Sequence, residues 1–427
     1  MSNEALSRRS FLTSAATTAT AFTIVKPELV RGAGNEKLKA GIIGAGSRGT
    51  QAVQNILTGC DNVELVAMAD IFEDRLEGSL RQLKALAPAL ADRVKVDAEH
   101  RFLGFDAYKK LLATDIDIVM LAAVPAYRPM HFEAAVEAHK HIFSEKPCGT
   151  DPVNCRRFMA AAKKAEALKL TVKSGAQRRS QTWYLDEYKR LKNGDYGDLL
   201  ALYAYWESTP VLLFNSPLFP NHKRDPKWGE MEWQQRNWYS FLWLSGDQIV
   251  EQHLHNVDTC NWFMGAHPVE AVASGGAAWR PREEEYGNIY DHVATDFIYP
   301  NGVHLSSRCR QYPTREMQHV GEIMRCAKGV IDSSPLRNAK LPFDPYVQEH
   351  IDMVNSILGK GPYINEGMEV AESTMTCIMG REAAYSGRKI TWDMIMNSKQ
   401  DLLPKSFDMN NTVPVTPLPV PGVYQFV

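Results

Sequence analysis

The chain is 427 residues long, which at roughly 150 residues per domain implies two or three domains with ample core and excludes a peptide or a lone small module. With 48 Lys and Arg against 50 Asp and Glu the formal charge is −2, so the bulk electrostatics offer no footprint for a nucleic acid or an anionic membrane. An apolar content of 44% and a charged content of 23% exclude a mainly disordered or fibrous protein and point to an α/β or α+β fold. Seven cysteines (Cys60, Cys148, Cys155, Cys260, Cys309, Cys326 and Cys377) form no CxxC pair and no dense scaffold, so they read as buried small hydrophobes and not as zinc ligands or a disulfide framework.

Ser7-Arg8-Arg9-Ser10-Phe11-Leu12 precedes an Ala- and Thr-rich apolar run, Thr13 to Val25, and then Lys26 and Arg31. This resembles a twin-arginine export signal. The alternative is a basic amphipathic helix of the fold, but an uncharged Ala/Thr run makes a poor surface helix. The run is also short of the roughly 20 residues that span a bilayer. Residues 1–34 are therefore expected to be a signal peptide, giving an exported, periplasmic protein with no membrane insertion after processing. Because that route carries folded proteins, a cofactor acquired beforehand is expected to stay bound.

Leu38 to Gly44 is a buried-strand run that passes into Gly44-Ala45-Gly46-Ser47-Arg48-Gly49 and then a helical pattern through Ile56. Glycines at these positions let the backbone turn tightly and approach a pyrophosphate, whose charge meets the helix N-terminus. A second strand, Val63 to Ala69, ends at Asp70, 21 residues past Gly49, where a carboxylate can hold a ribose diol and repel a 2′-phosphate. The cofactor expected is NAD. The alternative is a glycine turn and a surface aspartate in a cofactor-free domain. Gly44, Gly46, Ser47, Arg48, Gly49 and Asp70 are the first binding candidates. The next strand, Ile116 to Ala123, leads to Pro125 and a helix carrying His131; Ile142 to Ser144 leads to Glu145-Lys146-Pro147. Ligands of a doubly wound parallel sheet sit at such strand ends, so Pro125, His131, Glu145 and Lys146 join the set.

The glycine turn, Glu145-Lys146-Pro147 and Glu251-Gln252-His253-Leu254-His255-Asn256-Val257-Asp258, in order along the chain, resemble the glucose-fructose oxidoreductase, inositol dehydrogenase and rhizopine-catabolism (Gfo/Idh/MocA) family. The resemblance runs from about Lys37 to Trp392. It implies an N-terminal Rossmann domain (35–165) and a C-terminal α/β domain (166–395) with an open, mainly antiparallel sheet that often packs against another subunit, hence a homo-oligomer, dimer or tetramer. Leu199 to Trp206, Val269 to Gly275, His292 to Tyr299 and Val303 to Gln311 have strand character, and Asn301-Gly302 is a hairpin turn.

Glu251, His255 and Asp258 are spaced i, i+4, i+7, which at about 100° per residue puts them within roughly 60° on one helical face. Buried ionisable groups need partners or a task; here His255 either bonds Asp258 and a carbonyl or does chemistry. The resemblance implies that Lys146 and His255 surround the reacting hydroxyl, with Glu251 in the place of the family's aspartate and Asp258 a second candidate carboxylate. A neutral His255 would take the hydroxyl proton, Lys146 would stabilise the oxygen, and Glu251 or Asp258 would orient the imidazole. His253 and His255 diverge on a regular helix, so no metal is expected, although they could converge at a frayed turn. Gln177-Arg178-Arg179 could place forks over a sugar, or be a solvated turn. Trp228, Trp233, Trp238, Tyr239 and Trp243 suggest a carbohydrate wall or core; Trp238, Tyr239 and His253 are taken as substrate candidates, Asn237 and His222 as weaker ones.

Helices are expected over Gln348 to Leu358 and Ala371 to Ser386, and residues 396–427 as an extended, Pro-rich arm lying on this or a neighbouring subunit. The function expected is hydride transfer between tightly bound NAD and a ring hydroxyl of a sugar or glycoside, with carbon 3 the expected position. Two alternatives stand beside it. A redox-neutral NAD-dependent glycosidase would need a further base, for which Tyr184, Tyr239 or His253 could serve. A sugar-binding protein would retain NAD without chemistry.

Overall fold

The computed structural model describes residues 37–210, 224–313, 317–339 and 341–427. The expected signal segment, 1–34, and His222 lie outside the described residues.

Six parallel strands form the first sheet: β1 (Leu38–Ile43), β2 (Val63–Asp70), β3 (Arg101–Leu103), β4 (Ile118–Leu121), β5 (His141–Ser144) and β6 (Val172–Ser174), in the order β3-β2-β1-β4-β5-β6. The sheet is doubly wound, and the order in which strands are added reverses between β1 and β4, the switch point at whose carboxyl ends ligands bind. The helix Ser47–Gly59 packs Ala52, Val53, Ile56 and Leu57 under the sheet, as the apolar spacing dictates. Because β6 belongs to this sheet, the first unit runs past the boundary expected at 165. It also recovers a later element: the helix Pro345–Ile357 returns to lay Met353, Val354 and Ile357 in the same core.

The second sheet has seven strands. They are β7 (Leu199–Ser208), β8 (Glu270–Gly276), β9 (His292–Ile298), β10 (His304–Gln311), β11 (His319–Cys326), β12 (Gly329–Asp332) and β13 (Ile390–Thr391), ordered β12-β11-β7-β10-β9-β8-β13. Among the described residues only β7 and β10 pair in parallel, so the sheet is mainly antiparallel, as the resemblance implied. The turn at Asn301-Gly302 joins β9 to β10, with Gly302 at φ +80°. The buried helix Gly367–Ser386 crosses behind this sheet and stops at Gly387 in the left-handed conformation. All seven cysteines are free and buried. No described helix is long and apolar enough to cross a membrane.

Residues 396–427 lie on their own chain. Val413, Thr416 and Pro419 offer carbonyls to Gln234, Asn288 and Tyr290 at 2.7, 3.1 and 2.7 Å, and the Tyr424 hydroxyl donates to Glu382 at 2.8 Å. An extended proline-rich chain cannot satisfy its carbonyls internally, so side chains of the domain beneath do it.

Candidate functional site

The glycine turn follows β1. Gly44 has φ +96°, and a Cβ there would lie 2.3 Å from the backbone nitrogen of Ala123 at the end of β4; only glycine fits. A Cβ on Gly49 would collide with the Gly44 carbonyl oxygen at 1.9 Å. At Gly46 a Cβ would meet nothing within 4 Å, and the helix that starts at the exposed Ser47 has no side-chain cap. Open space faces unpaired first-turn amides, the arrangement that receives a pyrophosphate. Asp70 accepts from the Ala45 and Phe72 amides at 2.6 and 2.9 Å, which fixes the end of β2 against the turn. Burial raises its carboxyl above the usual range, against those two hydrogen bonds. These residues fit a dinucleotide.

Arg48 points from this turn to Glu145 and Glu349, the latter at 3.3 Å, and its guanidinium lies 4.9 Å from the centre of the Tyr346 ring. The carboxylate of Glu145 occupies the space a Cβ on Gly175 would take, 2.5 Å away. The glycine turn is thus tied to the residue beside Lys146. Arg128 is buried and donates to the carbonyls of Pro147 and Ala123, bracing the same loop against the end of β4. His131 is buried against Tyr108 and Tyr127, at ring distances of 4.5 and 6.0 Å, and burial pushes it down to about 3. Pro125 opens the short turn Pro125–Tyr127 at the end of β4.

Lys146, buried at the end of β5, donates to the backbone carbonyl of Glu251 and, at 3.0 Å, to its carboxylate. This contact explains why the helix expected through Glu251, His255 and Asp258 does not form. The chain makes a short helix, Gln248–Glu251, and then a second, Leu254–Met264. The His255 amide donates to Gln252 at 3.3 Å, leaving the Glu251 carbonyl to the ammonium. His255 lies flat against Trp206 of β7, ring centres 5.7 Å apart. Burial first, and then Lys146, Arg178 and Arg48, hold it well below the ordinary histidine range, so it is neutral. Its Nδ1 is buried without a partner, so no carboxylate among the described residues holds that nitrogen of the imidazole.

Several other assignments change. Asp258 spends its oxygens on a bidentate pair with Arg179, 2.9 Å on each arm, and on Ser373. A buried guanidinium needs a carboxylate, and the one on the next helical turn from His255 is consumed this way. Arg178 pairs with Glu322 of β11, which also receives the Tyr184 hydroxyl at 2.9 Å and Asn256 at 2.5 Å. Neither arginine is a free fork for a sugar. His253 is fully buried, bonded to Ser307 at 2.7 Å and pushed down to about 3 by burial; it is a core group. Tyr239 is buried, its oxygen accepting from Gln311 at 2.7 Å, with Trp238 half-exposed beside it. Gln177 donates to Tyr346 at 3.0 Å, and Asn237 to the Trp233 carbonyl at 2.9 Å. Trp206, Arg128 and Glu322 carried no motif in the sequence; strand alternation alone places Trp206 and Glu322 on the face that meets the helices.

His350, next to Glu349, is fully buried against Phe143 with neither ring nitrogen hydrogen-bonded; burial, then Arg48 and Lys173, lower it well below 6.5. Below about pH 6.5 the unfolded chain takes a proton that the folded one refuses, so this site costs stability as pH falls toward the folded value. His350→Leu is expected to stabilise the protein by about 1 kcal/mol at pH 7.5, from removing an unsatisfied N–H. The gain should widen by about 1.4 kcal/mol at pH 5.5. Urea unfolding at both values checks it; an equal loss with pH in both proteins would count against the assignment.

Residues 38–174 match the family model GFO_IDH_MocA, described as an oxidoreductase family with an NAD-binding Rossmann fold. The chain is 26% identical over 267 residues to the uncharacterized oxidoreductase YrbE of Bacillus subtilis (strain 168), covering 62% of this chain and 65% of that one. It is 30% identical over 168 residues to an inositol 2-dehydrogenase of Klebsiella pneumoniae (strain 342), 39% of this chain and 44% of that one. The chain thus spans between 44% and 65% of the length of these curated relatives. Scyllo-inositol dehydrogenase from Lactobacillus casei, solved with bound NAD(H) and scyllo-inositol, superposes with a TM-score of 0.64 at 17% identity over 83% of this chain and 99% of that one. Aldose-aldose oxidoreductase from Caulobacter crescentus superposes at 0.59 and 17%, over 83% and 100%. At those identities the structures share the fold.

Proposed function

We propose that the chain, whose residues 38–174 match the NAD-binding Rossmann-fold model of the Gfo/Idh/MocA oxidoreductases, is an NAD-dependent oxidoreductase acting on a secondary ring hydroxyl of a sugar or polyol. The observation that carries this is the meeting of Lys146, Glu251 and neutral His255 beside the carboxyl ends of β1, β4 and β5. When bound, NAD supplies the hydride acceptor for the carbon that bears the hydroxyl. His255 takes the hydroxyl proton, and Lys146, held by Glu251, faces the same oxygen with positive charge as it becomes a carbonyl. Arg48 and Arg128 hold the Lys146 loop in register with the glycine turn.

Carbon 3 is the proposed position, and a cofactor that remains bound is part of the same reading. The twin-arginine segment supports a proposed address outside the cytoplasm, which fractionation of producing cells decides. The glycosidase alternative finds no support in the site: Tyr184, Tyr239 and His253, its candidate bases, are buried and already hydrogen-bonded. The test is a panel of inositols, free sugars and glycosides, some deuterated at carbon 3, mixed with the protein without an added acceptor. Reduced nicotinamide carrying the label, with glycosidic bonds intact, is the expected result. Aglycone released over many turnovers would overturn the dehydrogenase reading, and unlabelled reduced cofactor would move the position.

A further inference from the structure

The dinucleotide crevice is bridged by a helix from the second domain. The helix Glu230–Arg236 reaches both loops that flank the glycine turn. At one end, Arg236 forks onto both oxygens of Asp74 at 3.0 and 3.1 Å, just past Asp70 at the end of β2. Its guanidinium is held between two rings, 4.1 Å from the centre of Phe72 and 4.8 Å from that of Trp228. From the adjacent position, Gln235 donates to the Tyr127 hydroxyl in the turn after β4, so the C-terminal end of the helix joins the two loops. Met231 and Trp233 pack with Ala126 of that same turn, in a cluster of their own. The loop after β2 is where a Rossmann domain holds the adenosine ribose, and the end of β4 borders the crevice at the switch point.

The C-terminal arm braces this bridge from behind. Phe407 meets Tyr127 edge-on at 5.1 Å and Phe105 at 5.7 Å, and Gln234 of the bridging helix donates to the Val413 carbonyl at 2.7 Å. These contacts join the loop after β2 to the turn after β4, on either side of the glycine turn that follows β1.

We propose that Glu230–Arg236 is a latch that closes the dinucleotide crevice, with Phe72 and Arg236 walling the adenosine end, so that NAD is retained through turnover. The inference deepens the proposed function and rests on residues 38–174 being an NAD-binding domain; it does not depend on which hydroxyl is oxidised. An arginine stacked and forked in this way is not replaceable by a flexible ammonium.

The full chain, loaded with NADH, is chased with excess NAD while the fluorescence of bound NADH is followed. Arg236→Ala is expected to raise the NADH exit rate at least tenfold, Asp74→Asn severalfold, and Arg236→Lys close to the alanine variant. Thermal unfolding of NAD-free protein separates a latch from ordinary domain packing: the exit rate should rise without a matching fall in Tm. Exit at the wild-type rate from Arg236→Ala overturns the latch, as does a rise that tracks Tm. Should Arg236→Ala not fold, Asp74→Asn, altered at an exposed side chain, decides the matter. Because the readout needs no sugar, failure to oxidise any substrate would fell the proposed function and leave this result intact.

Discussion

Lys146→Met is expected to lower turnover about a thousandfold while NAD still binds within a fewfold of wild type. One preorganised donor at a developing oxyanion is worth roughly 10² to 10³ in kcat, and Lys146 brings a full charge inside a buried site. The single variant carries a second effect, because the ammonium is the partner of a buried carboxylate: Glu251 is nine-tenths buried and bonded to it at 3.0 Å. Stranding a buried charge costs about 3–5 kcal/mol, so an inactive Lys146→Met could simply be a poorly folded one. The double variant Lys146→Met/Glu251→Gln removes both charges. Its urea midpoint should return most of the way to wild type, while single-turnover formation of reduced nicotinamide stays about a thousandfold down. A double variant that turns over within tenfold of wild type would show the pair to be a structural clamp between the domains and nothing more.

That clamp also marks the limit of what was legible in the sequence. The glycine turn, Asp70 and the Lys146 loop could be read because each is a local necessity of a parallel βαβ unit: a φ of +96° at Gly44 and a 1.9 Å conflict at Gly49 forbid other residues. The stripe of Glu251, His255 and Asp258 could not be read correctly from periodicity. Periodicity assumes that every carbonyl goes to the amide four residues on, and here Lys146, 105 positions away, takes the one at Glu251. The two helices that result send Glu251 to the ammonium, His255 to Trp206 and Asp258 to Arg179. Arg178 and Arg179 looked like free forks because their acids, Glu322 and Asp258, lie more than seventy residues away in sequence. The strands β11 and β12 escaped notice for a related reason: their short hairpin borrows its pairing from β7, and its alternation encloses a glycine and charged residues. Arg236 sat in an ordinary polar stretch, and only the fold carries it across to Phe72.

The second large effect concerns His255. His255→Ala is expected to lower kcat by about 10² to 10⁴, the range for a positioned base, with little change in NAD affinity. Among the described residues no carboxylate bonds the ring Nδ1, and its basicity is set by burial and by the cations Lys146, Arg178 and Arg48. All four act in one direction, disfavouring the imidazolium. The form that accepts a proton therefore persists as pH falls, and the acid limb of kcat should lie well below pH 6.5, leaving the rate flat from pH 8 to about pH 6. A carboxylate-oriented histidine would behave in the opposite way, losing activity near or above 6.5. Added imidazole distinguishes a base from a packing partner of Trp206: it should restore part of the rate to His255→Ala, with its own titration near pH 7 replacing the low limb. If His255→Ala keeps turnover within tenfold of wild type, the proton goes elsewhere and the base assignment falls. If activity is lost but imidazole restores nothing and the NAD-free protein melts early, the ring's work is to fill the space against Trp206, and Lys146 must carry the oxygen chemistry alone.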